Sequence, residues 1–197
     1  MRYFVTLSYD GTRYHGWQIQ PNGDSIQERL QGALSTLLRS EIGVTGAGRT
    51  DAGVHARMMV AHFDYDGELD CKQLCYKLNR LLPYDIAIQK VEQVADDLHA
   101  RFSATSRTYY YYVHTVKDPF SRAYSCELHY PLDFKLMNEA ARMLLVYEDF
   151  GAFCKSGADV KTTLCNVTAA EWHQTSPSSW PVISVSTNFA GKHLQNN

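Results

Sequence analysis

The chain reads as an α+β protein made of two split β-α-β halves that share a mostly antiparallel sheet with helices on one face. Three observations predict this class. Stretches of period-two alternation mark half-buried strands, helical stretches with start and stop signals fall between them, and the order is strand, helix, strand, helix, strand, then strand, helix, strand, strand. The seam lies near 94 to 102, which gives halves of 1–97 and 98–197.

Each element has its own signal. Arg2 to Asp10 (RYFVTLSYD) alternates Tyr3, Val5, Leu7 and Tyr9 against Phe4, Thr6 and Ser8, as a strand with one buried face does. Ser25-Ile26-Gln27-Glu28 is a capping box, in which the Ser25 hydroxyl accepts from the Glu28 amide and the Glu28 carboxylate reaches back. The helix it opens aligns Ile26, Leu30, Ala33, Leu34, Leu37 and Leu38. Met58 to Asp64 alternates like a strand, and a second helix runs from Asp70 to about Leu82, aligning Leu74, Leu78 and Leu81 before Pro83 stops it. Cys71 and Cys75 fall on the core face of that helix. Strands follow near Ile86 to Val91 and Arg107 to Thr115, then a helix from Asp133 to about Val146, then strands near Cys165 to His173 and Val182 to Ser186.

Composition narrows the function classes. With 197 residues the chain can bury one substantial core or two small ones. No apolar run approaches the roughly 20 residues that span a bilayer, and the N-terminus lacks a signal-peptide pattern, so a soluble, cytoplasmic protein with no membrane role is expected. The five cysteines contain no Cys-x-x-Cys pair, which predicts reduced thiols rather than a disulfide frame or a zinc site; no metal is expected. A net charge of −2 argues against a generic nucleic-acid coat protein, yet from Arg101 to Arg122 cations dominate, through Arg101, Arg107, Lys117 and Arg122 against Asp118. Phe102 and Tyr109 to Tyr112 interleave with them. Arginine among aromatics suits a splayed RNA base and its phosphates, the plain alternative being a Tyr-rich strand with solvated cations.

The chemistry concentrates in Gly46-Ala47-Gly48-Arg49-Thr50-Asp51-Ala52-Gly53-Val54-His55-Ala56. A carboxylate, Asp51, follows a guanidinium, Arg49, by two residues, in a loop whose small residues let another molecule come close. An arginine beside it favours the charged carboxylate and can also hold a phosphate. The loop is neither a dinucleotide fingerprint, since Asp51 stands where the third glycine belongs and a strand follows, nor a P-loop, since no Lys-Ser or Lys-Thr pair follows. No Gly-x-Ser-x-Gly elbow occurs for a serine triad.

Three separated segments resemble the signature blocks of the tRNA pseudouridine synthase A family: Tyr9-Asp10-Gly11-Thr12-Arg13-Tyr14-His15-Gly16-Trp17-Gln18, then GAGRTDAGVHA, then Leu98-His99-Ala100-Arg101-Phe102-Ser103-Ala104 leading into Arg107-Thr108-Tyr109. The resemblance covers roughly residues 1 to 187, with Asp149-Phe150 and Phe153 after the third helix. It implies the pseudouridine synthase fold with two ferredoxin-like halves, and isomerisation of uridine to pseudouridine in the tRNA anticodon stem-loop without metal or organic cofactor. It also implies a homodimer that grips tRNA across both subunits. By match of motif, Asp51 is the catalytic aspartate, Arg49 its partner, and Tyr109 the aromatic residue that packs on the target base. Asp10, Arg13, His55, His99, Arg101, Phe102 and Arg107 are carried over as pocket or RNA-binding residues, whereas His62, His114 and His129 read as structural. Asp51 could attack C1′, attack C6 or take a proton from the sugar, and Tyr109 offers a stacking face and a hydroxyl for proton exchange at C5.

The C-terminal residues depart from the pattern. Asn188-Phe189-Ala190-Gly191-Lys192-His193-Leu194-Gln195-Asn196-Asn197 lacks the family's Met-Val-Arg block and Ile-Val-Gly helix, as expected of a truncated or frame-shifted product missing an active-site arginine. The runner-up reading is accordingly a catalytically inactive tRNA-binding fragment, and a third is an Asp-dependent hydrolase of a small molecule.

Overall fold

The computed structural model describes residues 1–154, 162–176 and 179–188. It divides into two compact units, Met1–Ala104 and Thr105–Asn197, so that Leu98 to Ala104 packs with the first.

The first unit runs β1 (Arg2–Tyr9), α1 (Ile26–Leu38), β2 (Val44–Gly46), β3 (Ala56–Asp64), α2 (Cys71–Leu81) and β4 (Ile86–Val94). Its sheet has the order β2-β3-β1-β4, all antiparallel. That connectivity and order make it a complete ferredoxin-like split β-α-β unit. The alternation read in β1 has its cause in the packing: Tyr3, Val5, Leu7 and Tyr9 are buried in one cluster with Ile26, Leu30 and Leu34 of α1 and Leu74 and Leu78 of α2. Both helices therefore cover one face, and the odd positions of β1 and of β3 (Met59, Ala61, Phe63) point at them. Cys71 and Cys75 pack against this core, as expected. Leu81 does not: it is exposed, and Leu82 just after it takes the core position.

Only half of the capping box at Ser25 forms. The Glu28 amide donates to the buried Ser25 Oγ at 3.2 Å, a cap of a kind worth about 1 kcal/mol. The Glu28 side chain stays exposed, while Arg29 swings back onto Asp24 at 2.9 Å.

The second unit runs β5 (Arg107–His114), β6 (Cys126–Glu127), α3 (Phe134–Met143), a short 3₁₀ turn (Gly151–Phe153), β7 (Asn166–Ser176) and β8 (Ser179–Asn188). Its sheet order is β6-β5-β8-β7, antiparallel except for the two-residue parallel pairing of β6 with β5. Asn138 pins α3 to β7: its Oδ1 accepts from the Trp172 amide at 2.8 Å and its Nδ2 donates to the Trp172 carbonyl at 3.1 Å. A small cluster of Ala141, Val167 and Ala170 lies beneath.

The mostly antiparallel pairing expected of the α+β class is present: among the described residues the ladders form a four-stranded sheet within each unit. One boundary needs correction. The third helix ends at Met143 rather than about Val146, since the amides of Leu144 to Val146 bond three residues back and tighten into turns. Of the residues 188–197 on which the departure was expected, 189–197 lie outside the described residues.

Candidate active site

The loop that carries Arg49 and Asp51 connects β2 to β3 and lies on the segment that follows β1. The ladder between β2 and β3 ends at Gly46 opposite Ala61, and the Ala47 amide closes it on the Val60 carbonyl at 2.8 Å. Beyond that point the loop is held from below. The Trp17 amide donates to the Thr50 carbonyl at 3.2 Å, and the Gly53 amide donates to the Tyr14 carbonyl at 3.2 Å. Tyr9 and Thr50 share a hydroxyl-hydroxyl hydrogen bond of 3.1 Å. The Val54 amide returns to the Asp51 carbonyl at 3.2 Å, closing a turn with Gly53 at φ +78°. A turn whose third residue alone has positive φ is type II, which is why glycine stands there.

Two glycines of the first motif block allow this close seating. A Cβ on Gly16, whose φ is +87°, would lie 2.1 Å from the Thr50 carbonyl oxygen and 3.0 Å from the Asp51 carbonyl carbon. One on Gly11 would lie 2.0 Å from the Val54 carbonyl oxygen. The blocks around Gly11–Trp17 and Gly46–Ala56 are thus the two layers of one platform.

On that platform Asp51 and Arg49 both face solvent. Among the described residues no ion pair joins them and the Asp51 carboxylate has no hydrogen bond. The charge partnership expected from their spacing is therefore not a direct contact among the described residues. An exposed carboxylate on a rigid backbone is available to an incoming ligand. A wide groove of about 660 Å³ lies elsewhere in this unit, lined by Asp24, Arg29, Leu81 and Pro83, and includes neither Arg49 nor Asp51.

The neighbouring sequence-predicted residues are tied into the fold. His55 Nδ1 sits 3.1 Å from Asp10 Oδ1 and accepts from the Gly11 amide at 3.2 Å. Asp10 also takes the Thr12 amide at 2.9 Å. Arg13 donates through Nε to the buried Asp85 at 2.9 Å and lies over the Tyr84 ring, with its guanidinium carbon 5.0 Å from the centroid. The Tyr14 hydroxyl donates to the other Asp85 oxygen at 2.7 Å, and burial, together with this bond, pushes the Tyr14 phenol well up. Asp85 is a residue that reading the sequence missed. It looks like part of a turn after Pro83, and nothing near it announces partners 71 and 72 residues away.

The block from Leu98 to Ala104 covers the sheet face opposite the helices. His62 is buried there, with the His99 ring at 4.5 Å, and Phe102 follows at 4.4 Å from His99. His62 Nδ1 accepts from the Ala100 amide at 3.2 Å, and His99 Nδ1 accepts from the Arg101 amide at 3.1 Å. Both bonds use a ring lone pair, so both rings are neutral at Nδ1. Phe102 and Arg101 remain exposed, the guanidinium carbon of Arg101 5.8 Å from the Phe102 ring centroid.

A pH dependence follows. Burial depresses the pKa of both His62 and His99 below the ordinary 6.5, with nearby Arg2 adding to it. Below about pH 6.5 the unfolded chain takes up protons that the folded chain refuses, so stability falls with falling pH until the folded values are reached. Asp64, held low chiefly by its hydrogen bonds from Arg2, adds a separate loss only in the carboxylate range. Urea midpoints recorded from pH 7.5 to 5.5 should therefore fall for the native chain and flatten in a His62→Gln, His99→Gln double variant. Equal slopes for the two would contradict the neutral-pair reading.

In the second unit Arg107 and Tyr109 stand on one face of β5, and Tyr110 and Tyr112 stack on the other with centroids 6.5 Å apart. Tyr109 is 39% exposed, and its partial burial pushes the phenol up. Among the described residues no set of three His, Cys, Asp or Glu side chains converges as metal ligands, and no helix is long and apolar enough to cross a membrane.

Comparison with known proteins bears on this geometry. Residues 6–103, nearly the whole first unit, match the family model described as tRNA pseudouridine synthase. The tRNA pseudouridine synthase A of Bacteroides fragilis is 58% identical over 196 residues, covering 99% of this chain and 76% of that protein. Its namesake from Bacteroides thetaiotaomicron is 59% identical over 171 residues, covering 87% and 64%. That of Bacillus subtilis is 40% identical over 179 residues, covering 89% and 72%. The platform built from the first two motif blocks lies inside the matched region, and by this extent of identity the chain belongs to the tRNA pseudouridine synthase A family.

Proposed function

We propose that this chain isomerises uridine to pseudouridine in the anticodon stem-loop of tRNA, with Asp51 as the catalytic carboxylate. The observation that carries the reading is the exposed Asp51 on a loop whose Thr50 and Asp51 backbone is seated against Gly16, inside the region that matches the family. The reaction breaks the N1–C1′ bond, forms a C5–C1′ bond, releases the hydrogen from C5 and returns one to N1. Atoms and electrons balance without oxidant or co-reactant, so no cofactor is needed. A carboxylate can hold C1′ or C6 covalently, or take a proton from the sugar, while the base turns over.

A stacked base is out of reach of any such group, so the target must be extruded. Tyr109 supplies a face for the extruded base and a hydroxyl for proton exchange at C5. Arg49, Arg101 and Arg107 are the cations for flanking phosphates, and Phe102, which packs against His99 and lies beside Arg101, adds an aromatic face. Asp10, Arg13 and His55 serve mainly by holding the platform, since each already has a partner there. The working form is a cytoplasmic homodimer. The binding-only alternative is not favoured, because the relatives compared all carry the name of the synthase.

Tyr109→Ala should weaken binding of tRNA by about 1–3 kcal/mol through lost stacking. Tyr109→Phe should keep binding and lose rate if the hydroxyl moves a proton; equal rates confine the residue to stacking. Affinity for tRNA should fall steeply as salt rises from low to physiological concentration, since phosphates dominate RNA binding. A flat response would instead favour a small-molecule substrate.

A further inference from the structure

Thr50 stands between the two charged residues of the loop, and its carbonyl and its hydroxyl are both engaged from below. Its carbonyl accepts from Trp17 at 3.2 Å and its hydroxyl meets the Tyr9 hydroxyl at 3.1 Å. Tyr9 and Trp17 are themselves buried, at 4% and 3% exposure, with rings 6.2 Å apart in the core beneath α1. On the far side of Asp51 the backbone is fixed again, by the turn from Asp51 to Val54. The Asp51 carboxylate has no side-chain partner among the described residues, so its placement is set by this backbone alone.

We propose that the Tyr9–Thr50 hydroxyl pair is a positioning device for Asp51: it transmits the rigidity of the core to the one loop residue whose carboxylate must meet a specific atom of the extruded nucleotide. The proposal rests on the reading of Asp51 as the catalytic carboxylate. The carbonyl contact from Trp17 fixes where the Thr50 peptide lies. The hydroxyl contact fixes its rotation about the chain axis, and with it the direction in which the next Cα–Cβ bond points. Threonine suits the place because its branched Cβ restricts χ1 and keeps the hydroxyl aimed at Tyr9. A reacting group displaced by about 1 Å can lose about a hundredfold in rate. The effect should therefore appear in turnover and not in tRNA affinity, which comes from phosphate contacts elsewhere.

The test is steady-state kinetics on tRNA for Tyr9→Phe, Thr50→Val, the pair combined, Thr50→Ser and Asp51→Asn, assayed well below each variant's unfolding temperature. Tyr9→Phe and Thr50→Val remove one hydroxyl each and keep shape. Each should lower kcat by about tenfold or more at an unchanged KM. The combined variant should be no worse than either alone, since both delete the same bond, and Thr50→Ser should recover most of the rate. Native kcat in both single variants, a rise in KM at unchanged kcat, or a serine as poor as valine would each overturn the proposal. The Asp51→Asn arm keeps the two readings apart. An inactive Asp51→Asn beside fully active Tyr9→Phe and Thr50→Val defeats the positioning role alone, whereas an active Asp51→Asn defeats the site reading itself.

Discussion

Gly16→Ala should be among the most damaging single-methyl additions this chain can receive. The glycine is buried, its φ is +87°, and the new Cβ would lie 2.1 Å from the Thr50 carbonyl oxygen. Two costs add. Left-handed backbone in a residue with a side chain costs about 1–2 kcal/mol, and forcing an atom into a packed interior costs about 1–3 kcal/mol more. A loss of about 2–5 kcal/mol is a large share of a domain's total of about 5–15 kcal/mol. The atoms that must give way belong to Thr50 and Asp51, so turnover should fall further than stability alone explains.

Two other glycines calibrate the result. Gly53 also has positive φ, +78°, but nothing lies within 4 Å of its Cβ position, so Gly53→Ala should show the backbone cost alone. Gly32, inside α1 with open space around it, should gain about 0.5–1 kcal/mol on substitution by alanine. Urea titration of the three variants checks the order. A Gly16→Ala midpoint equal to that of Gly53→Ala would mean that the close seating of the two motif blocks is wrong.

The elements were legible in the sequence where local chemistry decides them. Ser25, Asp70 and Asp133 each cap the helix expected to start there, and the odd positions of β1 are buried as their alternation foretold. β2 and β6 were not legible, because three and two residues carry no period; they exist through pairing with β3 and β5. At the site, the glycines of the Gly46–Ala56 loop signalled the close approach of another molecule, but those of the first block carried no such reading. That Gly11 and Gly16 seat Val54 and Thr50 is a long-range fact. So is the bond from Arg13 to Asp85, which ties the first motif block to the start of β4 beside Tyr14.

Asp51→Asn should abolish turnover while leaving tRNA affinity within a few fold. The substitution keeps size and loop geometry, and the carboxylate has no partner among the described residues to lose, so the fold should be untouched. What goes is the charge and the nucleophilic oxygen, on which each of the three chemical roles open to Asp51 depends. A fall in kcat of at least about a thousandfold is expected of a group that acts directly on the reacting atoms. Affinity should hold, because it comes from cations on phosphates.

Because C5 of the uridine exchanges its hydrogen for C1′, tRNA carrying tritium at that carbon releases one label per event. Release by the native chain and by Asp51→Asn, measured on the same tRNA and alongside the binding of each, tests the central claim most directly. The account predicts release by the native chain, none above background from Asp51→Asn, and closely similar binding by the two. Sustained release from Asp51→Asn at native binding would contradict it.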